Sequence, residues 1–132
     1  MAGYLGGGAG EDPPKAVTIA TLSTAYTAQT GHVAMEGRRT VVFLVGITVA
    51  SGAASIAAMV EWSHDAVTWA PQSAEAIAAG AVTATPAEWT FTLAESPTFT
   101  LPLYESQGRY VRLKLKADAG TPTAVVTVWR GA

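Results

Sequence analysis

In the stretch 109–117, residues from Tyr110 onward alternate without a break. Val111, Leu113, Leu115 and Ala117 fall on one side, and Tyr110, Arg112, Lys114 and Lys116 on the other. Side chains of a strand point to opposite faces with period two, whereas a helix would scatter both sets around its axis. The pattern predicts a strand with one apolar face and one basic, wettable face. Other elements must supply an apolar layer over the inner side. Residues 39–49 form a second long strand by the same reasoning. Val41, Phe43, Val45, Ile47 and Val49 lie on one side, and Thr40, Val42, Leu44 and Thr48 on the other. Both sides are apolar in the middle. That predicts a central strand that is either covered on both faces or meets a partner with its outer face. Gly46 within it predicts a bend or bulge.

The same alternation marks the remaining elements. Residues 17–22 read as a strand and 32–35 as a short one, with a polar connection at 26–31 and a turn at Glu36-Gly37. Residues 56–63 set Ala58, Val60 and Trp62 against Met59 and Glu61. Residues 63–69 predict a tight hairpin, its turn capped by Ser63 and Asp65, with Trp69 opening the returning strand. Trp89, Phe91 and Leu93 define one further strand, and Phe99, Leu101 and Leu103 another. Pro102 puts the latter at a sheet edge or strand end. Residues 124–129 are the last strand, and the turn cluster 118–122 predicts a hairpin between it and residues 110–117. The Ala-rich stretch 72–85 predicts a loop with one local helical turn at 74–79, ended by Gly80. About seven or eight strands and no core helix indicate an all-β protein, a β-sandwich of jelly-roll topology.

Residues 1–14 break the pattern. Gly3, Gly6, Gly7, Gly8 and Gly10 leave the backbone unrestricted, and Asp12-Pro13-Pro14 stiffens the approach to the first strand. Tyr4 and Leu5 are the sizeable apolar side chains there besides Met1. The reading is a flexible N-terminal arm over residues 1–16, either a disordered terminus or an arm that docks on a neighbour through Tyr4 and Leu5, followed by a sandwich domain over 17–132. Residues 40–60 carry no charge and come after Arg38 and Arg39, which raises a membrane helix. Their middle, 50–55, is small, polar and turn-prone, so two strands joined by a turn fit better. Residues 1–10 have neither the basic region nor the apolar region of a secretory signal.

Composition narrows the function. The 132 residues are 49% hydrophobic and 14% charged, with formal net charge -2, against a typical charged fraction of roughly 25%. A surface so poor in charge is rich in small and hydroxyl residues or is covered by partners. The near-neutral balance offers no global attraction to nucleic acid or an anionic membrane. With no cysteine, disulfides, thiolate catalysis and cysteine-held zinc are excluded. His32 and His64 sit in no metal-ligand spacing, and no nucleophile elbow, phosphate loop or metalloprotease signature is present. Glu61, Asp65, Glu75, Glu88, Glu95 and Glu105 supply carboxylates, but nothing singles out a pair for acid–base work. The expectation is no catalytic residue, no cofactor and no metal. Trp62 and Trp89 share faces with core residues, while Trp69 and Trp129, near strand ends, are candidates for stacking on sugar rings. Arg112, Lys114 and Lys116 form a basic stripe that is either a solvated sheet face or a binding surface for an acidic neighbour.

Two motifs carry a resemblance. Ser63-His64-Asp65-Ala66-Val67-Thr68-Trp69 resembles the Ser-x-Asp-Gly-x-Thr-Trp hairpin of many extracellular and viral β-sandwich domains, with Ala66 where glycine is usual. Gly108-Arg109-Tyr110-Val111-Arg112-Leu113 resembles a strand of galactose-binding-like and discoidin-like jelly rolls. The whole plan, a Gly-rich arm before a compact Ala/Thr/Val-rich sandwich, is similar to capsid decoration (cement) proteins of tailed bacteriophages. That resemblance implies a virion protein assembled in the host cytoplasm, a homotrimer seated on the major capsid protein, with arms holding neighbours. The basic stripe and Tyr4 and Leu5 are then the partner-binding residues. The other reading is a carbohydrate- or receptor-binding sandwich module that uses Trp69 and Trp129.

Overall fold

The computed structural model describes residues 15–49, 52–78, 80–93 and 97–131. Every regular element among them is a strand: β1 (Lys15–Thr21), β2 (Ala28–Gln29), β3 (Val33–Ala34), β4 (Thr40–Val49), β5 (Ser55–Ser63), β6 (Ala70–Pro71), β7 (Ser73–Ala78), β8 (Ala81–Pro86), β9 (Trp89–Thr92), β10 (Thr98–Leu103), β11 (Tyr110–Ala117) and β12 (Thr123–Gly131). The arm predicted at the N-terminus lies outside the described residues up to 14, and β1 begins at Lys15, inside the stretch assigned to it.

The strands form two antiparallel sheets packed face to face. Sheet I runs β9-β5-β11-β2, with β3 pairing β11 beyond β2 and β6 pairing β5 on the side of β9; sheet II runs β10-β4-β12-β1. We count β2 and β3 as one interrupted strand and set aside β6 and the β7–β8 hairpin. The strand positions in chain order then read 1-8-3-6 in sheet II and 2-7-4-5 in sheet I. The long strands β4 and β5 lie in different sheets, as do β9 and β10, and β11 and β12. This is the jelly-roll arrangement.

The inner faces result from the alternation. Val111, Leu113 and Leu115 of β11 have no exposed surface, and they join Val60 and Ile56 of β5 in one buried cluster with Val41, Phe43 and Val45 of β4 and Val126 of β12. β11 pairs β5 along its whole length, from Tyr110 opposite Ser63 to Ala117 opposite Ile56. The two long edges of the sandwich differ. Between β9 and β10 the rings of Phe91 and Phe99 stack with centroids 3.9 Å apart and planes 9° apart, which closes that mouth with apolar bulk. Between β1 and β3 a groove remains.

Several expectations change. Residues 73–86 are not a loop with a helical turn but the hairpin β7–β8, Ala78 opposite Ala81, turned at Gly80 with φ 79°. Alanine carries little strand signal, so the small side chains of this hairpin hide its alternation. β11 and β12 are not a hairpin: the 118–122 turn crosses from sheet I to sheet II, because each strand must bury its apolar face in the shared core from opposite sides. The ladder irregularity in β4 lies at Thr48, not Gly46: Thr123 pairs Val49 and Ala124 pairs Ile47, so Thr48 is the extra residue. Gly46 stays in register with Thr98 and Val125. The 63–69 connection is longer than a tight hairpin, since the returning strand β6 spans only Ala70–Pro71 and Trp69 precedes it.

Two loop positions have backbone demands of opposite sense. A Cβ at Gly108 would lie 2.9 Å from Ser63 O and 3.2 Å from Ser63 N, both backbone atoms that cannot swing aside. Ala66 has φ 61°, in the left-handed region that disfavours a side chain. Urea denaturation will show Gly108→Ala destabilised by roughly 1–3 kcal/mol through the clash, and Ala66→Gly stabilised or unchanged, by up to about 1 kcal/mol, through relief of strain. A tolerated Gly108→Ala would mean that the 108–110 strand entry does not press on β5.

Candidate interaction surface

The outer faces of the two sheets differ in kind. On sheet I, register brings Arg112 opposite Glu61 and Lys114 opposite Met59. Arg112 Nε donates to Glu61 Oε1 at 2.7 Å, and Lys114 Nζ lies 3.8 Å from Glu61 Oε2. The three side chains are 14–23% exposed, so the ion pairs are shielded rather than solvated. The Arg112 guanidinium also sits 4.2 Å from the centre of the Trp69 ring, and His32 meets Tyr110 edge-on at 5.5 Å. Further along, Lys116 Nζ is 3.8 Å from Glu88 and 4.7 Å from the Tyr26 ring, whose hydroxyl donates to Glu88 at 2.6 Å. Partial burial, with the bond to Glu88, pushes the Tyr26 phenol up. The basic stripe is thus engaged within the chain. Sequence reasoning misses Glu61, Glu88 and Tyr26 as its partners, because nothing in sequence sets residues some 28 to 90 positions apart side by side.

Sheet II carries no charged side chain on its outer face among the described residues. Adjacent rows read Pro102–Val42–Trp129, Thr100–Leu44–Thr127–Ala16 and Thr98–Gly46–Val125. Val42 and Leu44 are half-buried, Pro102 is exposed and Val125 is 46% exposed. β4 is therefore central, as its two apolar sides predict, and its outer side belongs to a flat patch of Val, Leu, Pro, Trp and Thr. Trp129 lies on this patch, whereas Trp69 lies over sheet I, so the two candidate sugar-stacking rings do not share a surface. Tyr4 and Leu5 lie outside the described residues.

Several further polar groups tie turns and strand ends together. Ser63 Oγ accepts the N–H of Asp65 and Ala66 and donates to Asp65 Oδ1, which in turn accepts the N–H of Thr68 at 2.8 Å and Val67 at 2.9 Å. The carboxylate that the motif assigns to turn capping does cap it. Asp118 Oδ1 likewise accepts the N–H of Ala54 at 2.8 Å and Ser55 at 3.1 Å, tying the crossing turn of sheet I to the start of β5. Trp62 Nε1 donates to Gln72 Oε1 at 2.9 Å. Among the described residues no group of three or more His, Cys, Asp and Glu side chains could hold a metal ion, and no helix is long and apolar enough to cross a membrane. No protein-family model matches the sequence, and comparison with curated proteins gives no significant match.

Backbone N–H donors hold Asp65, chiefly through Thr68, and Asp118, chiefly through Ala54, below the ordinary aspartate value of 3.8. A carboxylate with a depressed folded-state pKa adds stability that is fully present above its unfolded value and lost as pH falls through the folded one. The urea midpoint is therefore expected to fall as pH drops below the ordinary aspartate range, toward about 3. Asp118→Asn will be less stable than the parent at pH 6 but lose less on acidification. An equal acid loss in both proteins would place the pH dependence elsewhere.

Proposed function

We propose that this chain is a non-enzymatic structural subunit of a viral particle, a capsid decoration protein that stabilises the shell by protein–protein contact. One observation carries the reading: a sandwich with charged residues paired across one outer face presents a charge-free, partly apolar second face. Interface centres are depleted of charge and enriched in aromatic residues, and isolated surface apolar residues do not line up in adjacent rows. Four strands and about five outward-facing rows, roughly 6.8 Å apart along the strands, make a flat patch on the order of 600 Å², below the roughly 800 Å² per partner of a stable pairwise complex. A single such contact is weak. On a repeating lattice, weak contacts multiply through effective concentration, and a homotrimer offers three of them at once. The shell-forming major capsid protein is the partner in this reading, with residues 1–14 adding a second attachment.

A receptor- or carbohydrate-binding module is the second reading. It has one observation of its own: Trp129 stands on the same patch next to Thr127 of its own strand, an aromatic plane beside a hydroxyl of the kind that stacks on a sugar ring.

The partner for the test is a particle assembled from the major shell protein that this reading expects to be encoded beside the gene. Val125→Glu puts one charge on the patch at an exposed site, so thermal stability of the isolated protein should change by less than about 0.5 kcal/mol. Co-sedimentation with particles should fall at least about tenfold, since the loss is repeated at every lattice site. Undiminished coating by Val125→Glu contradicts the reading. Retention on polysaccharide that requires Trp129, with no attachment to particles, replaces it with the carbohydrate one.

A further inference from the structure

The sandwich has two mouths, and one is unfilled by the described residues. At β9–β10 the stacked pair Phe91 and Phe99 fills the gap between the sheets. At the opposite mouth, between β1 and the end of β12 on one side and β3 on the other, a groove of about 790 Å³ opens toward the core. Its floor is Val17, Val33 and Val128, of which Val17 and Val33 are only partly buried against the core. Its rim carries Lys15, Glu36 and Arg130. Arg130 reaches across the mouth from sheet II, donating to Ala34 O and to Glu36 Oε1 at 2.6 Å, and so fixes the width of the gap at one end. The cause is the thinness of the sheet I edge. β2 and β3 are two residues each, separated where Thr30 turns inward to accept the Leu113 N–H. Neither short strand brings a large apolar side chain to match the phenylalanine pair.

We infer that this groove receives the Tyr4–Leu5 segment of a second copy of the chain. The inference rests on the assembly reading above and names the seat of its arm. The chain enters the described structure at Lys15, which is itself part of the rim. Residues 6–14 separate Leu5 from Lys15. Extended, that spacer reaches about 35 Å, close to the roughly 35 Å diameter expected for a domain of this size. A reach of about one domain diameter is long enough for the segment to arrive at an adjacent subunit. Prolines at 13 and 14 favour an extended backbone by their chemistry and have no N–H to give to a ladder, which works against an immediate reversal. Glycines at 6, 7, 8 and 10 let the remainder adjust to the geometry of the neighbour. Tyr4 and Leu5 then supply the apolar bulk that Phe91 and Phe99 supply at the other mouth, with the Tyr4 hydroxyl free to meet the charged rim.

Because the protein has no cysteine, disulfide trapping reads the contact directly on the full chain. A chain carrying Leu5→Cys is mixed with a chain carrying Val33→Cys and oxidised with diamide. A covalent pair of two chains is expected, at least about tenfold above the yield when Thr90→Cys, on the far edge of sheet I, replaces Val33→Cys. Equal trapping at Val33 and Thr90 overturns the inference. So does a double variant, Leu5→Cys with Val33→Cys in one chain, that closes only within itself at every concentration. The particle assay is separate: attachment without trapping removes the groove assignment and leaves the shell reading, whereas trapping without attachment does the reverse.

Discussion

The packing of one sheet's apolar face onto the other is the interaction on which the rest of this molecule depends. Val111, Leu113 and Leu115 on β11 and Val41, Phe43 and Val45 on β4 are completely removed from solvent in a single cluster. At roughly 1.5–3 kcal/mol for each fully buried side chain of this size, no surface contact competes with that burial. Its geometric consequence is functional. Once period two commits every second residue of β4, β10 and β12 to the core, the alternate residues must form the outer face of sheet II. Their chemistry, not the core's, then decides what the protein meets.

The two outer faces resolve their exposed positions in different ways. Sheet I satisfies its basic residues internally, through Glu61, Glu88, Trp69 and Tyr26, in partly shielded ion pairs and ring contacts. Such a face is rigid and self-contained. Sheet II leaves Val42, Leu44, Val125 and Trp129 among threonines, with no charge among the described residues of that face to repel a protein neighbour or to discourage self-association. A protein with 14% charged residues has few charges to place, and here most of those on sheet faces are spent on one side. That asymmetry is the physical basis for assigning the assembly role to sheet II rather than to the basic stripe.

Much of the fold is legible in the sequence because period two is loud where large residues alternate with charges. β11, β5 and the inner side of β4 have the faces their alternation predicts, and Pro102 correctly marks the edge strand β10. What is not legible has specific causes. β7 and β8 are built mostly from alanine and threonine, which give alternation no amplitude. The 118–122 turn has the composition of a hairpin turn but serves a crossing, since local turn chemistry does not encode which sheet comes next. The bulge falls at Thr48 rather than at Gly46 because register, not flexibility, requires the extra residue. The candidate surface is half visible: the uncharged outer side of residues 40–48 stands out, but its union with 98–102 and 125–129 requires the strand order. The basic stripe is visible as residues but not as an engaged surface, because its partners lie far away in sequence.

The central claim is that sheet II, not sheet I, is the face that meets other protein molecules. Hydroxyl-radical footprinting of the full chain, free and bound to particles, separates the two faces by their own oxidisable side chains. Binding should protect Leu44, Pro102 and Trp129 while leaving Met59, Trp69 and Tyr110 as reactive as in the free protein. Protection of Met59, Trp69 and Tyr110, with Leu44 and Trp129 unchanged, would contradict the account.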